Sequence, residues 1–295
     1  MSTSRLLKNA RNACFQQNLL VRSVGIRIAD ALKNMLRIVF QRPARLLTAL
    51  AVLGGAIAQA DDTAPPDSRP KPDLRAGRLL FESRCAVCHG RHAHGDGPAA
   101  RQMDPRPRDL TRGEYILRST PSGSLPTDDD LFATLTRGLP GTAMVGWAGL
   151  PSLDRWQLVY YLRSISSRFA TETPEPPVAI PVPPPASAQK IALGRAVWER
   201  MKCAQCHGAD GRGDGPAART LSDPRGRRVY AFDLTRSWKL KGGGAPEDLY
   251  RTLHTGLDGT PMPSYDAALQ PDEAWALVYF VRSLALDVPL PYSTH

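Results

Sequence analysis

The sequence predicts an all-α protein made of two tandem copies of one small helical domain joined by a Pro-rich linker. Three observations carry that expectation. Cys85 to Gly90 recurs as Cys203 to Gly208, 118 positions later. The segments flanking each repeated motif place apolar residues at helical spacing and show no alternating strand pattern of useful length. Between the copies, residues 171–189 hold seven prolines.

The repeat extends well beyond the cysteines. Gly95 to Arg101 recurs as Gly213 to Arg219, and Gly138, Gly141, Thr142 and Met144 recur as Gly256, Gly259, Thr260 and Met262, all at an offset of 118. Asp109-Leu110-Thr111-Arg112 matches Asp233 to Arg236 at 124, so the second copy has an insertion that is compensated downstream. Two copies of one domain explain this economically. The expected boundaries are 61–170 and 190–295, with 171–189 between them.

A leader comes first. Residues 46–58 are apolar, Arg37, Arg42 and Arg45 precede them, and Ala58-Gln59-Ala60 follows. A basic region, a short apolar region and an Ala-x-Ala site make a secretory signal peptide, cleaved after Ala60. Residues 35–60 are complete as such a peptide, so Met35 is the expected true start, although residues 5–39 also read as a basic amphipathic helix. The apolar run falls short of the roughly 20 residues of a membrane span. The mature chain is therefore expected in the periplasm, touching a membrane only through a membrane-bound partner or an uncleaved leader.

Charge agrees with this division. The chain carries +10, yet residues 1–60 hold nine Lys or Arg against Asp30, leaving 29 basic and 27 acidic side chains for the rest. A nearly neutral remainder has no nucleic-acid footprint.

Within each copy the expected order is helix, long loop, helix, helix. Residues 74–84 and 191–202 run into the cysteine motifs. Residues 128–137 and 246–255 begin with Asp or Pro and stop at Gly138 or Gly256. Residues 153–167 and 271–286 form the last helices. The linker prolines forbid helix and favour an extended strap.

Cys85-x-x-Cys88-His89 and Cys203-x-x-Cys206-His207 are signatures of covalent c-type haem attachment. Two thiols on one turn reach the two vinyl groups, and the adjacent imidazole reaches the iron. The fifth cysteine, Cys14, lies in the leader, so no structural disulfide is expected. Zinc wants tetrahedral ligand sets, and each copy offers only Cys, Cys and His locally.

The sixth ligand is expected from Met144 and Met262, each 55 residues after its histidine in Gly-x-x-Gly-Thr-x-Met. Met103 and Met201 lack a repeated partner and read as packing residues. His92 and His94 follow His89 too closely to reach the opposite face, and His254 faces Thr136 in the other copy. His/Met ligation fills the coordination sphere, raises the potential and favours electron transfer over oxygen or peroxide activation. Pro98 and Pro216 are candidates for the carbonyl that orients each imidazole. Arg101 and Arg219 are candidate propionate contacts, and Trp147 and Tyr265 are candidate pocket walls.

Residues 73–167 and 190–286 resemble the class I cytochrome c family, two mono-haem domains in tandem, on the attachment motifs, the Met loops and the flanking helices. The resemblance implies that the first and last helices cross at Gly77 with Tyr161 and at Gly194 with Phe280. It also implies two covalently bound haem c groups and redox protein partners such as an oxidase, reductase or dehydrogenase. The expected function is a periplasmic dihaem carrier of single electrons, free or as a subunit of a respiratory complex, and not an enzyme. The alternative is a dihaem enzyme, peroxidase-like or thiosulfate-oxidising, with one open or labile iron.

Overall fold

Asp73 starts the first helix by accepting a hydrogen bond from the Ala76 amide at 2.9 Å, a side-chain cap on an otherwise orphaned N–H. A computed structural model describes residues 69–285, all within one unit spanning residues 65–295. The expected signal peptide, the expected start at Met35 and the expected cleavage after Ala60 lie outside the described residues. The order is α1 (Leu74–Arg84), α2 (Ala86–His89), α3 (Asp128–Arg137), α4 (Ser152–Ser164), α5 (Ser167–Thr171), α6 (Ala188–Arg200), α7 (Ala204–His207), α8 (Pro246–Thr255) and α9 (Pro271–Leu284). Among the described residues there is no strand, only an isolated bridge between Ser222 and Arg228. None of their helices is long and apolar enough to cross a membrane.

Local chemistry sets the helix ends. Thr127 and Asp130 form a capping box at α3, and Gln270 with Glu273 forms another at α9. Pro246 and Pro271 occupy first-turn positions, where the missing N–H costs nothing. The expected 153–167 helix instead breaks after Ser164. The break turns Phe169 back onto the first core, 6.4 Å from Tyr115, with the Arg163 guanidinium over its ring at 5.3 Å.

In each copy the first and last helices cross where glycine permits it. A Cβ on Gly77 would collide with the Gln157 carbonyl and lie 2.8 Å from the Tyr161 Cβ. One on Gly194 would collide with the Ala276 carbonyl and lie 2.7 Å from the Phe280 Cβ. The crossings close two separate cores. Phe81, Leu131, Phe132, Trp156 and Leu158 build the first, and Trp198, Tyr250, Trp275, Val278 and Phe280 the second. Burying one such aromatic contributes about 1.5–3 kcal/mol, so each copy has the apolar content to hold its helices together.

The two copies touch where they depart from each other in sequence. The first has the longer segment before α3. From it the Arg118 side chain, fully buried, pairs with Asp258 at 2.8 Å and donates to the Thr255 carbonyl. Gly123 N–H also donates to Asp258, at 3.1 Å. The second copy has the longer segment before Asp233. From it Arg225 pairs with Glu114 at 3.0 Å, and Tyr230 donates to Asp104 at 2.7 Å. The strap joins in: Glu175 and Val178 amides donate to Ser124 and Ser119 of the first copy at 3.0 and 2.7 Å. Ile180 and Ala186 pack on the second core, and Tyr279 donates to the Pro184 carbonyl.

Candidate functional site

Each attachment motif is one helical turn. His89 N–H donates to the Cys85 carbonyl at 2.9 Å and His207 N–H to that of Cys203 at 2.9 Å. Cys85, Cys88 and His89 thereby face a common cavity of about 700 Å3, together with Met144 and Trp147. In the second copy Cys203, Met262 and Tyr265 pack on one core, and the Trp198 ring lies 6.0 Å from that of His207. Burial, with the two thiols adding to it, pushes the Tyr265 phenol up to about 12.

Burial pushes the Cys85 and Cys203 thiols up to about 11, and all four motif cysteines are free of disulfides. Such thiols are neutral, apolar groups suited to becoming thioethers. Both imidazoles are held below the usual histidine range by burial, partly offset by a backbone hydrogen bond. His89 Nδ1 lies 3.1 Å from the Arg108 carbonyl, and His207 Nδ1 lies 3.1 Å from the Phe232 carbonyl. A neutral imidazole donating through Nδ1 presents the Nε2 lone pair to a metal.

Those acceptors correct the expectation of Pro98 and Pro216. The segment containing Pro98 folds back on the attachment turn itself: Gly97 N–H donates to Cys88 and Ala99 N–H to Val87. It lies behind the turn, and the imidazole meets the chain ten residues later. A backbone acceptor has no residue-type signature. The usable signal was position, immediately before the repeated Asp-Leu-Thr-Arg.

The methionine loops are built alike. Thr142 donates to the Leu139 carbonyl at 2.7 Å and accepts from Met144 N–H at 3.1 Å; Thr260 does the same with Leu257 and Met262 at 2.7 and 3.2 Å. Trp147 and Tyr265 amides then anchor each loop to the Leu135 and Leu253 carbonyls, both at 2.8 Å. The threonines were visible as a repeated residue, and the structure supplies their task.

Other candidates fall elsewhere. Arg101 and Arg219 are exposed, and Arg101 does not line the cavity. His92 and His94 are exposed and also outside it. His254 stacks on Tyr250 at 4.3 Å and pairs with Asp266 at 2.6 Å. Met201 packs on the second core, whereas Met103 lines the cavity.

A haem fits these residues on two counts. The donor set is two thiols, an oriented imidazole and a looped thioether, and the Tyr115 hydroxyl at the cavity is buried without a hydrogen-bond partner. Among the described residues no three His, Cys, Asp or Glu are grouped to hold an ion by themselves.

Known proteins agree with the geometry. The family model described as "Cytochrome c" matches residues 191–285, and that described as "Cytochrome C oxidase, cbb3-type, subunit III" matches residues 72–162. The cytochrome c of Tetrahymena pyriformis is 33% identical over 108 residues, 34% of this chain and 96% of that protein. The chain belongs to the cytochrome c family. This cytochrome is also 25% identical to the cbb3-type oxidase subunit CcoP of Azospirillum over 224 residues, 72% of the chain and 62% of that relative. A structure of the reducing HAO-like protein complex of Kuenenia stuttgartiensis aligns with a TM-score of 0.71 and 41% identity, covering 74% of this chain and 99% of that one. Cytochrome c domains carry covalently bound haem c and transfer electrons.

Proposed function

We propose that this cytochrome is an exported dihaem carrier of single electrons that docks on a larger redox complex, with domains 61–170 and 190–295. Each domain holds one haem c, through Cys85 and Cys88 or through Cys203 and Cys206. His89 with Met144 and His207 with Met262 bind the irons. Haem c supplies one-electron Fe(III)/Fe(II) exchange. The observation that carries the reading is the likeness of the two sites, with the same Nδ1-to-carbonyl bond and the same threonine-braced methionine loop in both. Loops fixed this way keep the thioether in place in both oxidation states, so little reorganisation accompanies transfer. A docked role is supported by the oxidase-subunit and HAO-like-complex relatives.

The test is the optical spectrum of the purified holoprotein, ferric and ferrous, with and without carbon monoxide, alongside intact mass. The expected result is two haems, both low-spin and unreactive. A high-spin component, or carbon monoxide on one haem, would overturn the carrier reading in favour of a dihaem enzyme. Export is checked by N-terminal sequencing of the secreted protein, expected to begin near Asp61.

A further inference from the structure

Eight Arg and Lys side chains line the first-domain cavity against three Asp, and five of the eight come from the second domain. The three carboxylates are engaged already. Asp104 accepts from Tyr230 at 2.7 Å, Asp223 from Arg227 Nε at 2.8 Å, and Asp233 from Thr235 Oγ1 at 2.6 Å. Of the other lining donors that lack an acidic partner, three are withdrawn from water by burial: Arg108, Lys241 and Tyr115. Arg108 makes two hydrogen bonds, both 3.4 Å long through Nη1, to the Glu114 and Asp258 carbonyls. Lys241 has its ammonium 5.9 Å from the centroid of Phe232 and no ion pair with any described residue. Tyr115 Oη is buried with no partner.

These three belong together electrostatically, because the charge of Arg108 acts on both Lys241 and Tyr115. Two cations withdrawn from water repel each other and lose solvation, and a buried hydroxyl without an acceptor adds to the cost. An anionic acceptor seated among them removes all three penalties through charge-assisted hydrogen bonds.

The geometry points to Arg108, Tyr115 and Lys241 as the seat of the carboxylates of the first-domain haem, with Lys241 delivered by the second domain. This rests on the haem reading above. The second domain thus completes the cofactor site of the first, and it does so from the sequence just after its own insertion. The exposed Arg101 has no part in it.

The experiment uses the full-length holoprotein and its Lys241→Gln, Lys241→Arg and Tyr115→Phe variants. Each is followed by redox titration and by the propionate-bending bands of the resonance Raman spectrum. A Met144→His variant identifies the first-domain wave by lowering it alone. Lys241→Gln is expected to shift that wave to lower potential, because an uncompensated carboxylate favours the ferric state. It should move one propionate band and leave the second-domain wave in place. Tyr115→Phe should move a propionate band too, and Lys241→Arg should restore the wild-type pattern. Unchanged waves and bands in a protein whose mass shows two haems would overturn the inference alone. A mass without attached haem would overturn the reading beneath it. A potential that tracks added inorganic phosphate would show a free anion in the seat instead, and would also overturn the inference.

Discussion

Arg108 and Phe232 hold equivalent positions in the two copies, and each serves both domains at once. The carbonyl of each lies 3.1 Å from the histidine Nδ1 of its own domain. The side chain of each leans on the methionine loop of the other. A Cβ on Gly259 would lie 2.5 Å from Arg108 Nη1, and one on Gly141 would lie 3.2 Å from the Phe232 ring. Phe232→Ala therefore removes a support of the Met144 loop while its own carbonyl stays available to His207. The expected loss is about 2 kcal/mol of stability for this half-buried ring. Loss of the methionine-to-iron charge-transfer band on warming should begin in the first domain.

The methionines have separable effects. Met144→Ala and Met262→Ala should each open one iron, giving a high-spin component and one equivalent of carbon monoxide, with two equivalents in the double variant. A titration of carbon monoxide against haem absorbance checks the stoichiometry.

Arg118 and Asp258 form a buried ion pair between the copies, with side-chain exposures of 0% and 24%. Removing one partner strands a charge, which costs about 3–5 kcal/mol when both are fully buried. Because Asp258 is partly exposed, Asp258→Ala should cost roughly 2 kcal/mol. Combining it with Arg118→Met should recover part of that loss, and guanidinium unfolding of the four-member cycle measures the coupling.

Two glycine-to-alanine changes should differ sharply. Gly194→Ala forces a methyl against the Ala276 carbonyl and should cost about 1–3 kcal/mol by prising α6 from α9. Gly149→Ala meets nothing within 4 Å and should stay within about 0.5 kcal/mol of the parent. Thermal unfolding of the two variants gives the comparison.

The Tyr230 bond to Asp104 has a pH signature. That hydrogen bond, with a smaller contribution from burial, raises the phenol above its ordinary value of 10.0. A raised folded value means the bond contributes fully below pH 10 and is lost as pH rises through the folded value. Phenolate absorbance should show one tyrosine ionising above pH 10 that is missing in Tyr230→Phe, with the copies separating more readily at alkaline pH.

Side-chain chemistry of fixed spacing was legible in the sequence. The cysteine motifs and the helices over 74–84, 128–137 and 246–255 rest on residue types that local physics demands, whereas the Gly77 and Gly194 crossings were expected only from the family resemblance. What stayed hidden passes through the backbone or between the copies. The Arg108 and Phe232 carbonyls look like any other peptide oxygen. Lys241 was invisible for a different reason: comparing the copies draws the eye to residues they share, whereas Lys241 acts across them. The break at Ser164 depends on where Phe169 finds apolar company, which no local pattern records.

The strap has a consequence for assembly. A duplicated chain offers each first helix two last helices of related sequence, one in its own copy and one in the other copy or in another molecule. Glu175 and Val178 fasten one end of the strap to the first copy, while Ile180 and Pro184 fasten the other to the second within a few residues. The short distance between those anchors raises the effective concentration of the correct neighbour far above that of any second molecule, so exchange of halves between chains is suppressed at the linker itself.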